Sequence, residues 1–214
     1  MAILRQLWRL KATGGARVHE MNTLFDTPSG TMAREGKLVR IRVERPAPER
    51  GAGKTMRKPA FSSSASPQPA LLTYKGPAQK DGSRSSLGQR YKIRAEHEVR
   101  VEDATALAHV FENMGLRSCF RYEKYRSTYR LPGLHRLVVE LDETPIGDFL
   151  ELEGVREEID RCAALLGFRQ DDYITKSYGA LFVEQRRSVS SEFGASAGLP
   201  ADSAPAEMLF SSRP

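Results

Sequence analysis

Acidic and basic side chains recur at every second position along several stretches of this sequence. Guanidinium and ammonium groups neutralise phosphoryl oxygens, and carboxylates hold Mg²⁺ or Mn²⁺, so a mixture of the two suits a triphosphate with its metal ion. The clearest repeats are Arg40 and Arg42, Lys124 and Arg126, and Glu151 and Glu153.

The sign of its charge assigns each of these side chains either to the phosphate groups or to the metal ion. The residues expected to contact phosphate are Arg40, Arg42, Lys75, Arg94, Lys124 and Arg126. The residues expected to hold the metal are Glu98, Asp142, Glu151 and Glu153. Taken singly, each is more often a member of a surface ion pair, but the shared alternation favours a common site. The pattern assigns no nucleophile and no general acid or base.

Alternation of this kind predicts β-strands, because successive side chains of a strand point to opposite faces. The charges then share one face of each strand, and they are cationic in the early strands, mixed in the middle and acidic in the late ones. One arrangement is an open antiparallel sheet with its charged face in water. The other is a closed barrel, where desolvation would cost several kcal/mol per ion unless the interior is a wet tunnel holding an anion and a metal. The sorting of charge by strand favours the tunnel.

We therefore predict an α+β fold in which an antiparallel β-barrel is flanked by helices. One domain is expected over residues 1–186, with a flexible loop at 46–70, where Pro, Ser, Gly and Ala dominate. Residues 187–214 have a similar composition and are expected to form a disordered tail.

Composition narrows the class of partner and the setting. The net charge of +6 and the pI of about 9.4 suit an anionic ligand. No basic block carries interleaved aromatic residues, which disfavours a nucleic-acid groove. No stretch reads as a membrane span, and no Gly-rich phosphate loop or Gly-x-Ser-x-Gly elbow occurs. The two cysteines, Cys119 and Cys162, are too few for a disulfide framework, which predicts a cytoplasmic setting.

Six motifs in order resemble the CYTH family, which groups class IV adenylyl cyclases with thiamine and inorganic triphosphatases. They are Asn22-x-x-Phe25-Asp26-Thr27, Val39-Arg40-Ile41-Arg42, Leu72-Thr73-Tyr74-Lys75-Gly76, Arg94-x-Glu96-x-Glu98, Glu123-Lys124-x-Arg126 and Gly147-Asp148-Phe149-x-Glu151-x-Glu153. The resemblance covers roughly residues 2–182. Lys176-Ser177-Tyr178 resembles the family's segment with a basic residue near the C-terminal end of the domain. Lys176 is therefore added to the residues expected to contact phosphate.

The resemblance implies a triphosphate tunnel that binds ATP, thiamine triphosphate or tripolyphosphate with Mg²⁺ or Mn²⁺. The chain is most similar to the cyclase-like branch, which implies conversion of ATP to cyclic AMP, with triphosphate hydrolysis as the other reaction. Two further readings stay open: a non-catalytic module that binds nucleotide or polyphosphate, and an RNA-binding surface.

One departure concerns the start of the family pattern. Family members open with a strand carrying Glu-x-Glu-x-Lys, whereas residues 1–19 contain no Asp or Glu. We therefore expect the first strand to be missing, a gap in the barrel with exposed backbone edges, and weak or no turnover.

Overall fold

The computed structural model describes residues 2–50, 67–79, 90–192 and 206–209. The strands are β1 Thr13–Asp26, β2 Leu38–Pro46, β3 Ala70–Lys75, β4 Glu96–Val101, β5 Arg117–Leu131, β6 Leu134–Thr144, β7 Gly147–Gly154 and β8 Ala206–Met208. The helices are α1 Ala2–Arg9, α2 Thr31–Arg34, α3 Ala104–Asn113, α4 Arg156–Leu165 and α5 Tyr178–Glu192, with a short 3₁₀ turn at Gln170–Asp172. Most of the loop predicted at 46–70, from residue 51 to 66, lies outside the described residues.

The strands form one sheet in the order β4-β3-β2-β1-β5-β6-β7, in which every neighbour is antiparallel. β8 adds to β5 in the parallel sense. The predicted α+β fold built on an antiparallel sheet with flanking helices is confirmed.

The sheet is curled, with an opening between its two edges. Arg40 on β2 donates a hydrogen bond to the Tyr122 hydroxyl on β5 at 3.3 Å, reaching across the intervening β1. Near the edges, Tyr91 before β4 donates to Asp160 on α4, the helix that follows β7, at 2.7 Å. Within the described ranges, no strand pairing joins β4 to β7, so the expected gap lies between these strands.

The outer face of the sheet is apolar, and α1, α3 and α4 pack on it. One cluster packs α1 and α4 on β5 and β6 and contains Leu7, Leu131, Leu134, Leu137, Val139, Cys162 and Leu166. The other packs α3 on β1, β2 and β3 around Phe25, Val39, Ile41 and Ala70. Leu137 and Val139 of β6 in the first cluster, and Val39 and Ile41 of β2 in the second, are at alternate positions of their strands, as the alternation predicts.

The inner face of the sheet is charged, and the ions at its centre are buried. Glu20, Lys124 and Asp142 expose 1%, 2% and 0% of their surface. This burial rules out the open sheet with its charged face in solvent. The charges lie within the curl, and the apolar core lies between the sheet and the helices.

Of the tail predicted at 187–214, residues 193–205 and 210–214 lie outside the described residues, and two pieces are described. α5 runs to Glu192, and β8 pairs beside Phe120–Tyr122, a part of β5 that β6 does not reach. Met208 on β8 is buried, and that apolar contact gives the segment a place on the sheet. Separately, no described helix is both long and apolar enough to cross a membrane.

Gly14 offers a test of how closely β1 and β5 approach. Its φ is +103°, and a Cβ atom there would lie 2.5 Å from the Thr128 carbonyl oxygen. We expect Gly14→Ala to lower the free energy of unfolding by at least about 3 kcal/mol, because strain and backbone clash add. Gly133→Ala is the matched control, since Gly133 also has positive φ but has nothing within 4 Å. Its expected cost is about 1–2 kcal/mol. Equal costs in urea unfolding would contradict the close approach.

Candidate functional site

Four buried ions from three strands form the centre of the inner face. The strand register places Glu20 on β1 opposite Lys124 on β5, and Arg126 on β5 opposite Asp142 on β6. The Lys124 Nζ lies 2.7 Å from Asp142 Oδ2. Arg126 donates to the same carboxylate from Nε at 2.7 Å and from Nη2 at 2.6 Å. Asp142 thus holds two cations side by side.

The two central carboxylates are ionised in spite of their burial. Burial opposes ionisation of Glu20, but Lys124, Arg126 and Arg42 outweigh it and hold its pKa below the usual value. Burial acts in the same direction on Asp142, where Arg126 and Lys124 lower the pKa. The charges of this group therefore depend on one another, and loss of one would leave its partners buried and unpaired.

Glu20 is a central residue that the sequence analysis missed. Its carboxylate lies 3.4 Å from Arg42, 3.5 Å from Lys124 and 3.6 Å from Arg126. It lies on β1, and sorting the side chains of this stretch by face would have found it. The cations it contacts are three of the predicted phosphate ligands.

Arg40 and Arg42 on β2 extend the cationic group, and Glu98 on β4 organises them. Arg42 lies 3.5 Å from Glu98, and Arg40 donates to the Thr73 hydroxyl at 3.1 Å. Thr73, fully buried, donates in turn to Glu98 at 3.0 Å. Glu98 was expected to bind metal, but its contacts here are with these arginines and Thr73.

Three glutamates, Glu140, Glu151 and Glu153, form a separate carboxylate cluster beside the central ions. Each contributes an oxygen, and these oxygens lie within 4.8 Å of one another. Glu140 faces Glu151 across β6 and β7, and Arg126 contacts both. Burial raises the pKa of Glu140 to about 7, with Glu153, Glu151 and Asp142 adding to the shift against the opposing charge of Arg126.

This cluster fits a hard divalent cation, which prefers several oxygen ligands and would relieve the repulsion between carboxylates. It unites two predicted metal ligands, Glu151 and Glu153. Glu140 takes the place expected for Asp142, whose oxygens instead face Lys124 and Arg126. Alternation puts Glu140 and Asp142 on the same face, so sequence alone could not choose between them.

The remaining predicted cations lie farther from this centre. Lys75 pairs with Glu96 at 2.9 Å near the open edge. Burial lowers the pKa of Lys92, and the charges of Arg94 and Lys75 lower it further, so these three cations lie near one another. Lys176 is exposed and pairs with Glu184 at 2.8 Å on α5, away from the other candidates.

Tyr178, two residues after Lys176, does enter the site and was also missed. Its hydroxyl donates to Asp142 Oδ2 at 2.7 Å, and its ring lies 5.1 Å from Lys124 Nζ and 5.3 Å from the ring of Phe149. Burial and the neighbouring Glu151 and Asp142 raise its pKa, which keeps the hydroxyl protonated. The first residue of α5 therefore closes one side of the ionic centre.

Comparison with known proteins gives one curated relative and several solved structures. The curated relative is named "Putative adenylate cyclase MJ0240", from Methanocaldococcus jannaschii, and is 26% identical over 116 residues. The match covers 50% of this chain and 62% of the relative's length.

The solved structures show the same fold at low identity. A "putative adenylate cyclase" from Vibrio parahaemolyticus superposes with a TM-score of 0.62 at 18% identity, over 85% of this chain and 90% of that one. HpAC1 from Hippeastrum, a "putative adenylyl cyclase" described as having a dominant triphosphatase activity, gives 0.54 at 18% identity, over 86% and 90%.

The sequence profile of the CYTH domain matches residues 2–170, about four-fifths of the chain. That range contains β1 to β7, the ionic centre and the carboxylate cluster. The resemblance seen in the motifs is confirmed: this chain belongs to the CYTH family.

Proposed function

We propose that the inner face of the curled sheet binds a triphosphate together with Mg²⁺ or Mn²⁺ and carries out phosphoryl chemistry on it. One observation supports this above the others: a buried group of cations lies directly beside a cluster of three carboxylates on the same face. Phosphoryl transfer depends mainly on positioning and on electrostatic stabilisation, which are the properties such a face supplies.

Binding on this face would be an exchange of ionic partners. Arg42, Lys124 and Arg126 are each paired with carboxylates in the structure. A triphosphate brings anionic oxygens that can replace those carboxylates. A divalent cation that enters with it can hold the released acidic groups. Net charge within the curl then stays balanced, which a buried site requires.

The residues divide into two roles in this proposal. Lys124, Arg126, Arg42 and Arg40 would contact phosphoryl oxygens, with Lys75 and Arg94 nearer the open edge. Glu140, Glu151 and Glu153 would hold the metal, which neutralises negative charge on the phosphoryl group when bound. Burial of the cations excludes water from their contacts and so strengthens them.

Two reactions are consistent with this arrangement, hydrolysis and cyclisation of ATP to cyclic AMP. They differ in whether water or the ribose 3′-hydroxyl attacks. The relatives carry both activities in their names and descriptions, adenylate cyclase and triphosphatase. The proposed substrates are ATP, thiamine triphosphate and tripolyphosphate. A reducing cytoplasm is the proposed setting, since Cys119 and Cys162 are both free thiols.

A binding module without turnover is the second candidate. The observation that favours it is that Lys124 and Arg126 are already held in place by Asp142, and exchange of that carboxylate for a phosphate is sufficient for binding without any reaction. This candidate predicts the same triphosphate binding, but no release of phosphate and no cyclic AMP.

The first prediction concerns triphosphate affinity. Arg42→Ala should weaken tripolyphosphate binding at least about tenfold, because a buried charge-assisted contact is lost. Lys37→Ala is the control, since Lys37 comes directly before β2, lies outside the ionic centre and pairs with Glu35 within the described residues. Calorimetric dissociation constants in Mg²⁺ measure the effect, and circular dichroism checks folding. Equal affinities for the two variants would contradict the proposed site.

The second prediction concerns the metal. The double variant Glu151→Gln/Glu153→Gln should lower Mn²⁺ affinity by about 10- to 100-fold, because glutamine amides are weaker ligands than carboxylates for a hard cation. Glu157→Gln on the exposed side of α4 is the matched control. Mn²⁺ titration followed by electron paramagnetic resonance gives the affinity. Unchanged Mn²⁺ binding in the double variant would remove the carboxylate cluster from the proposal.

A further inference from the structure

Asn22 on β1 is a buried amide whose polar atoms make no hydrogen bond within the part of the chain that the structure describes. The residue exposes 2% of its surface, and neither Nδ2 nor Oδ1 has a partner. Buried amide groups are nearly always satisfied, because an unmade hydrogen bond leaves the cost of desolvation uncompensated. The unsatisfied pair of atoms therefore calls for a ligand that could complete it.

Asn22 belongs to the same inner face as the phosphate candidates. It follows Glu20 by two residues on β1, so both side chains point into the curl. The register places Asn22 opposite Arg42 on β2 and opposite Tyr122 on β5. The amide thus lies on the same face as the ionic centre, two residues along β1 from Glu20.

The surroundings of Asn22 on this side are aromatic. Tyr122 stacks with Phe120 at 5.7 Å between ring centroids and lies 6.1 Å from Tyr178. Phe182 on α5 lies 5.7 Å from Phe120. Aromatic rings from β5 and α5 together line the part of the inner face next to Asn22. They offer apolar surfaces on which a flat heterocycle can stack.

Along β5, the aromatic residues that could stack on a ring come before the cations that could contact phosphate. Phe120 and Tyr122 come first, Lys124 and Arg126 follow, and Arg126 also contacts the carboxylate cluster. The distance from Phe120 to Arg126 along the strand is about 20 Å. A ligand with phosphates at one end and a ring system at the other would match this order.

The Asn22 amide has both a donor and an acceptor, and this restricts the groups that can satisfy it. An ionised phosphate only accepts hydrogen bonds, so it could satisfy Nδ2 but would leave Oδ1 without a donor. An edge that presents an amino group beside a ring nitrogen satisfies both atoms at once, as in the bidentate pairing of Asn with adenine. ATP and thiamine triphosphate both carry an amino-substituted pyrimidine ring, and tripolyphosphate does not.

We propose that Asn22 is a specificity-determining residue that recognises the donor–acceptor edge of an amino-substituted heterocycle, with Tyr122 and its aromatic neighbours stacking on the ring. The inference rests on the proposed function and narrows its substrate to a triphosphate that carries such a ring. Lys124 and Glu20 are as buried as Asn22. A ligand can therefore reach all three only when the side chains that cover the inner face move aside. Tyr178 and Phe182 on α5 are two of these side chains.

The test compares three ligands with the wild type and with Asn22→Leu, which has the same branching and no polar atom. The ligands are ATP, purine riboside triphosphate, in which a hydrogen atom replaces the amino group, and tripolyphosphate. The wild type should bind ATP about tenfold more tightly than purine riboside triphosphate. Asn22→Leu should weaken ATP binding about 10- to 100-fold, remove this discrimination, and leave the tripolyphosphate dissociation constant within about twofold.

Two controls keep the outcome clear. Thr23→Val changes the next residue of β1, whose side chain points to the other face, and should alter no affinity. Asn22→Ser serves if Asn22→Leu does not fold. Equal loss for ATP and tripolyphosphate, or a wild type that does not distinguish ATP from purine riboside triphosphate, overturns the role of Asn22 alone. A wild type that binds none of the three ligands overturns the proposed function as well.

Discussion

The desolvation of ions on the inner face of the sheet is the constraint on which this structure depends. Asp142 is fully buried and can remain ionised only because Lys124 and Arg126 contact its oxygens within 2.7 Å. Those contacts join side chains on two neighbouring strands, so they exist only when β5 and β6 pair in one register. A shift by one residue would turn the charges toward the helices. The ionic centre and the strand register therefore specify each other.

The apolar side chains lie on the opposite face of the sheet from the charged ones. Leu137 and Val139 point outward from β6 onto α1 and α4, while Glu140 and Asp142 on the same strand point inward. Hydrophobic burial between sheet and helices supplies the favourable term in folding. The ions of the inner face are held mainly by one another, and the Tyr178 ring lies beside them. This face therefore suits a ligand whose charge complements the side chains.

The alternation of residues in the strands was sufficient to predict an antiparallel sheet with charged residues on one face and apolar residues on the other, although the sheet is curled and, over the described residues, not a closed barrel. It could not predict which ions would meet, because that depends on register between strands. Glu140, rather than Asp142, joins Glu151 and Glu153 for this reason. Tyr178 and Lys176 show a second limit: the motif near the C-terminal end was noticed, but only the helix geometry shows that Tyr178 enters the site while Lys176 faces Glu184. β8 lay beyond prediction, since its pairing depends on a free stretch of β5.

The most direct test of the central claim is a crystal structure of the protein with tripolyphosphate and Mn²⁺, using the anomalous signal of the metal. The account predicts phosphoryl oxygens in contact with Lys124, Arg126 and Arg42, and an anomalous peak beside Glu140, Glu151 and Glu153. Asp142 should then have lost at least one of its present contacts to Lys124 and Arg126. Phosphate and metal bound outside the curl, with the ion pairs of the inner face unchanged, would contradict it.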